Sequence, residues 1–211
     1  MNDPQANILC QLREEYITLL PQAKKTIEFL TTTVNHLLKD IYLKLGPEEQ
    51  IQCKSRIKSQ ESSIAALARR QEGQIFDPAK QYSLSNLPDF VGLRILVFPN
   101  PRISEIQNSL QDLLKNWKSD PVRDMDTVHK YFGHLPEPEI SEISCEVQIV
   151  PMLIGLFWQV EHSTLYKPSP RIKNLESEGL NRAADGVYAA FRNYENELEK
   201  LIHAAIGPRF P

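Results

Sequence analysis

A strand that runs straight into a helix dominates the chain: Ser144 to Lys167, SCEVQIVPMLIGLFWQVEHSTLYK. Ile143, Cys145, Val147 and Ile149 alternate with Ser144, Glu146 and Gln148, the period-two pattern of a strand with one apolar and one polar face. Pro151 then suits the start of a helix, where its missing N–H leaves no bond unmade. A carboxylate on the polar face is what a half-exposed sheet would carry, so Glu146 alone says little about function.

A second stretch changes its meaning. Asn86 to Phe98, NLPDFVGLRILVF, places Asp89, Gly92 and Arg94 at the entrance to an apolar, β-branched run. If the two strands are neighbours, Asp89 and Glu146 converge on one hard cation, because Mg²⁺ is typically held by one or two carboxylates plus substrate phosphates. Spacing alone does not give that pairing.

Around these strands the pattern is mostly helical. Asp3 and Pro4 form an N-cap and first-turn pair, predicting a helix to about Leu20, and a second runs from Pro21 to about Leu45 before Gly46-Pro47. Gln52 to Lys58 reads as a strand, and Arg56 and Lys58, two apart, share a face of it. Ser59 caps a helix from Gln60 to Arg70, with Glu61 in its first turn. Residues 71–85 form a polar connection. Ile103, Ile106, Leu110, Leu113 and Leu114 mark a crossover helix reaching Trp117. The helix after Pro151 turns Leu153, Leu156, Phe157 and Val160 inward, with Trp158 and His162 on a shared face. Leu180, Ala183, Val187, Ala190, Phe191, Tyr194 and Leu198 define a long helix over residues 174–203, packing on the domain or on another subunit.

Four motifs in order identify a family. R-I-K-S at Arg56 to Ser59, D-x-x-G-x-R at Asp89, Gly92 and Arg94, E-V-Q-I at Glu146 to Ile149, and W-x-x-E-H-x-x-x-Y-K at Trp158, Glu161, His162, Tyr166 and Lys167 together resemble the synthetase domain of the RelA/SpoT family. The likeness runs roughly from residue 25 to residue 200 and is to the stand-alone small alarmone synthetases and their toxic relatives. It implies an α/β (α+β) fold: a nucleotidyltransferase-like mixed β-sheet flanked by helices, with N- and C-terminal helical extensions. The expected division is helices over 1–46, a synthetase core over 47–170 and a C-terminal helix and tail over 171–211.

The resemblance also implies a reaction, the transfer of pyrophosphate from ATP to the 3′-hydroxyl of GDP or GTP to make (p)ppGpp-type alarmones. Asp89 and Glu146 would be catalytic and would hold Mg²⁺. Arg56 and Arg94 would sandwich the adenine, with Lys58 and Ser59 beside the phosphates. Tyr131 and His134 would meet the acceptor, and Gln148, His162 and Lys167 would support the site.

This chain departs from the family pattern in three places. Relatives carry a lysine about a turn after the motif serine, where this chain has Ser62 to Leu67; Arg69 and Arg70 either replace that charge or are surface residues. Lys130-Tyr131-Phe132-Gly133-His134 stands where relatives have G-Y-x-S-x-H. Val150 stands where they continue Q-I-R-T. Three readings therefore stay open: transfer to GDP or GTP; a toxic relative that transfers to the tRNA 3′ end, with Lys24 and Lys25 on the acceptor stem and an antitoxin protein as partner, or to another acceptor; or a silent regulatory homologue.

Composition excludes little but excludes it firmly. A net charge of −3 over 211 residues gives no overall basic excess for nucleic acid. Cys10, Cys53 and Cys145 contain no C-x-x-C pair, so neither a disulfide framework nor a zinc site is expected and a reducing cytoplasm suits the chain. No secretory leader and no run of 18 apolar residues is visible, so a membrane is not expected as a partner.

Overall fold

The run VGLRILVF has almost no polar face. In the computed structural model, which describes residues 4–70, 76–121, 128–161 and 177–206, it forms a largely buried interior strand, second in a five-stranded sheet. The strands are β1 (Gln50–Ile57), β2 (Val91–Phe98), β3 (Lys118–Pro121), β4 (His129–Gly133) and β5 (Cys145–Pro151), in spatial order β1-β2-β5-β4-β3. β2 and β5 pair in parallel, and every other pair is antiparallel, giving a mixed α/β fold.

β5 is buried throughout, Glu146 and Gln148 included at 6% and 7% exposure. The half-exposed sheet suggested by the alternation of Ser144, Glu146 and Gln148 is therefore corrected: the polar side chains of β5 are themselves buried, lying at the floor of cavities instead of at open surface. Pro151 closes β5 opposite Val97, one residue before α6 (Met152–Glu161) begins.

One face of the sheet carries the main core. Leu93, Ile95 and Val97 of β2 and Val147 and Ile149 of β5 pack with Leu12, Leu30 and Val34 of α1 (Pro4–Leu37). That helix runs on through Pro21, against the expected break at Leu20. Pro21 is exposed and loses one backbone bond, whereas Leu12, Ala23, Thr26, Leu30 and Val34 make one continuous buried face spanning it. Burying two or three such side chains is worth about 1.5–3 kcal/mol each, comparable with the roughly 3 kcal/mol of an interior proline. After α1 a single turn, α2 (Lys39–Tyr42), completes the segment expected to be helical up to Leu45.

α3 (Gln60–Arg69) begins as its sequence requires, with Ser59 accepting a bond from the Ser62 backbone N–H at 3.3 Å. The crossover helix is split into α4 (Arg102–Ser109) and α5 (Gln111–Leu114), and Ile103, Ile106, Leu110 and Leu114 are buried as the stripe predicts. Arg102 fixes α4 to the start of β1 through two bonds to Glu49, at 3.1 and 2.8 Å.

The other face is closed over only part of its area. Leu96, Val128, Val150, Ile154 of α6 and Tyr188 of α7 (Ser177–Ile206) form a second, smaller apolar cluster. Within α6, Ile154 turns inward and Leu156 and Val160 are exposed, at 40% and 57%, so the predicted inward set is rotated. Gly155 faces Leu96 so closely that a Cβ would stand 2.2 Å from the Leu96 Cδ2. No described helix is long and apolar enough to cross a membrane.

Candidate active site

Register decides which side chains meet on the incompletely covered face. Arg56, Gly92, Glu146, Phe132 and Lys118 are successive cross-strand partners, and Lys54, Arg94, Gln148, Lys130 and Asp120 form the next row on the same face. Two rows of a five-stranded sheet thus gather five basic residues around Glu146.

Gly92 makes the first row workable. Arg56 lies across it to bring its Nη2 within 3.9 Å of Glu146 Oε2, and a Cβ on Gly92 would already stand 3.4 Å from the Arg56 Nε. In the second row the Arg94 Nε donates to Gln148 Oε1 at 2.7 Å. Burial and then the like charge of Arg56 pull the Arg94 pKa below its ordinary value, while Glu146 pushes it up; a guanidinium remains charged in any case. Arg56, Gly92, Arg94, Glu146, Gln148 and Gln159 line a cavity of about 210 Å³ between the two arginines.

Beyond Glu146 a wider cavity of about 500 Å³ is lined by Lys58, Arg69, Arg70, Asp89, Lys118 and Phe132, with Glu146 in its wall too. Lys58 follows β1 and is held by its backbone: its N–H donates to the Phe90 carbonyl at 2.9 Å, and the Tyr16 hydroxyl donates to its own carbonyl at 3.1 Å. The Lys58 ammonium pairs with Asp89 Oδ2. Asp89 Oδ1 is buried and has no hydrogen-bond partner, an arrangement that normally calls for an explanation.

The structure thus brings together Arg56, Arg94, Glu146 and Gln148 around one cavity, and Lys58 and Asp89 around its neighbour, with Glu146 common to both. Ser59 is engaged in capping α3. His134 is exposed just past β4, in an adjoining polar cavity with Asn86, Pro88, Glu142 and Ser144. His162 and Lys167 lie outside the described residues. Lys24 and Lys25 are exposed on α1, whose buried side packs on the opposite face of the sheet.

Tyr131, expected to stack on the acceptor base, does not join the others in this structure. Its cross-strand partner is Val147, it packs against the main core, and its hydroxyl accepts a bond from Gln107 Nε2 at 2.9 Å. The aromatic ring on the site face is Phe132, opposite Glu146. Neither Phe132 nor Lys118 was legible beforehand, because nothing in adjacent aromatics says which one faces Glu146. Arg69 and Arg70 are exposed at the end of α3 and line the wider cavity. Cys145 is no nucleophile: it faces the core, and burial pushes its thiol up to about 12.

No protein-family model matches the chain, and no curated protein matches it in sequence. Solved structures do. The small alarmone synthetase 1 from Bacillus subtilis bound to AMPCPP is 16% identical, with 92% of this chain and 99% of that one aligned at a TM-score of 0.65. The same protein bound to its product pppGpp is 19% identical, covering 92% and 98% at 0.67. A GTP pyrophosphokinase family protein from Streptococcus pneumoniae is 21% identical, covering 92% and 95% at 0.65. The class is therefore a mixed α/β domain built on a five-stranded sheet, and its particular fold is that of the small alarmone synthetases, the RelA/SpoT-like synthetase fold, over about nine-tenths of the chain.

Proposed function

We infer that the chain is an ATP-dependent pyrophosphokinase acting on GDP or GTP. The observation that carries this reading is the position of Glu146, in the wall shared by an arginine-flanked cavity and a cationic cavity that holds an aromatic ring. The solved relatives bound to AMPCPP and to pppGpp support it, since they bear a donor analogue and a transfer product on the same fold.

The donor base lies between the Arg56 and Arg94 guanidiniums, which stack on aromatic planes and carry charge together. Its phosphates run past Glu146 toward Lys58. The acceptor base rests on Phe132, with Arg69, Arg70 and Lys118 available to its phosphates. The acceptor 3′-oxygen attacks the β-phosphorus in line, an oxygen–phosphorus bond forms there, and the bond from the bridging oxygen to that phosphorus breaks. AMP leaves with the electron pair, and Glu146 receives the hydroxyl proton. The work is positioning and charge neutralisation.

Mg²⁺ fits these residues. Among the described residues no group of three or more His, Cys, Asp or Glu is arranged to hold a metal, but Mg²⁺ needs only one or two carboxylates beside substrate phosphates. Asp89 offers a buried oxygen with nothing bonded to it, and Glu146 lines the same cavity. When bound, the ion would neutralise phosphate charge beside these two carboxylates.

The test is incubation with Mg²⁺ and ATP labelled on the γ-phosphate, offering GDP, GTP or deacylated tRNA in separate tubes. Label on the guanine nucleotides is expected. Label on tRNA alone would replace the acceptor, and folded protein that transfers to none of them would overturn the assignment as an enzyme.

A further inference from the structure

We propose that Trp158 is a positioning residue of the donor cavity, holding the Arg94 guanidinium over its indole and sharing that ring with Lys130. The inference rests on the donor-cavity reading above and assigns work to a residue that the reaction scheme leaves idle.

The Arg94 Cζ lies over the Trp158 ring, 5.5 Å from its centroid, and the Lys130 Nζ lies over the same ring at the same distance. Both cations belong to one cross-strand row, with Gln148 between them. That row has an electrostatic difficulty. Arg56, Arg94 and Lys130 gather beside Glu146, and Arg56 and burial both disfavour charge on Arg94. Gln148 fixes one edge of the guanidinium through its Nε but supplies no charge. The negative face of an indole does supply compensation, the more so where the cation is desolvated.

The helix that carries the indole is anchored on both sides, and Trp158 itself packs against the smaller apolar cluster. Ile154 is buried in the cluster of Leu96, Val128 and Val150, Gly155 allows α6 to lie directly on Leu96, and Phe157 packs edge-on against Tyr188 and Phe191 with centroids 5.1 and 5.8 Å apart. α6 therefore cannot turn without breaking its contacts with both the sheet and α7. The next residue, Gln159, lines the donor cavity and accepts from Lys54 Nζ at 3.4 Å. Trp158 holds the Arg94 head group from its own side, and the same guanidinium lines the donor cavity. A guanidinium so braced stacks on a base without losing side-chain freedom at the moment of binding.

The test measures AMPCPP binding by calorimetry, together with tryptophan emission, in wild type, Trp158→Leu and Trp158→Phe. Trp158→Leu is expected to weaken AMPCPP about tenfold, the scale of one such contact, with Tm nearly unchanged; Trp158→Phe, which keeps a π face, recovers most of the affinity. The chain has two tryptophans, so wild-type emission should change on adding AMPCPP and Trp158→Phe, left with Trp117, should show no change. Wild-type affinity in folded Trp158→Leu, or equal losses in both variants, would overturn the role of Trp158. If Trp158→Leu does not fold, the emission signal in the other two proteins decides the matter. Wild-type protein that binds no AMPCPP would overturn the donor-cavity reading and this role with it.

Discussion

Phe132 stands directly opposite Glu146 across the antiparallel β4–β5 pair, so the two side chains leave the same face of the sheet while Tyr131 leaves the other. Phe132→Ala should raise the acceptor KM about tenfold or more, since stacking on one aromatic is worth about 1–3 kcal/mol per base, and should leave the ATP KM near wild type. Tyr131→Phe should do the reverse of what its place in the motif suggests. It deletes a hydroxyl bonded to Gln107, lowering stability by about 1 kcal/mol without moving the acceptor KM. Steady-state kinetics and thermal melts on the two variants separate the faces.

Asp89 and Glu146 should fail differently. Asp89→Asn keeps an oxygen for Lys58 but removes the charge beside it, so turnover should fall about 10²–10³-fold, with a loss of about 1–3 kcal/mol in stability from the weakened charged bond. Glu146→Gln should lose turnover on the same scale while still binding AMPCPP, because Arg56 and Arg94 remain in place. Chelation of Mg²⁺ should abolish turnover in wild type and be reversed by adding it back. A Glu146→Gln protein that turns over normally would remove this residue from the proton's path.

What the sequence disclosed follows from the kind of signal each element leaves. Ser59 as the cap of α3 was legible because capping is local chemistry, and the β2 strand because an eight-residue run that is apolar and β-branched apart from Gly92 and Arg94 admits little else. α6 was legible as a helix but not in its rotation. Leu153, Ile154, Leu156, Phe157 and Trp158 are all apolar, so periodicity offers several inward faces, and only Gly155 against Leu96 selects one. β3 went unseen since Lys118, Ser119, Asp120 and Pro121 carry no alternation; an edge strand needs none. The exchange of Tyr131 for Phe132 has the same root, because a shift of one residue reverses every side chain on a strand.

Gly92 offers a test in which stability and function part company. Gly92→Val should preserve or raise Tm, since a β-branched residue suits a central strand better than glycine. Its γ-carbons would nevertheless fill the path that Arg56 takes to Glu146, where a Cβ is already 3.4 Å from the Arg56 Nε. AMPCPP affinity should drop about tenfold or more, the loss of one well-placed stacking cation. Gly92→Ala should fall between the two proteins, because the atom it meets belongs to a flexible side chain. Full affinity in the valine variant would show that Arg56 reaches the donor by another route.

His129 gives the fold a pH dependence of predictable sign. It begins β4, its partner across the sheet is the buried Ile149, and burial holds its pKa below the ordinary 6.5. Between the folded and unfolded values the unfolded chain binds the proton and the folded chain does not, so acidification favours unfolding. The contribution of the neutral imidazole is therefore whole above about pH 6.5, begins to fail as pH drops below it, and is lost once pH passes the folded value. His129→Gln removes that titration. Its Tm should fall less steeply than wild type between pH 7 and pH 5, while the two curves run parallel above pH 7. Parallel curves over the entire range would mean that His129 takes up its proton as readily in the sheet as in the unfolded chain.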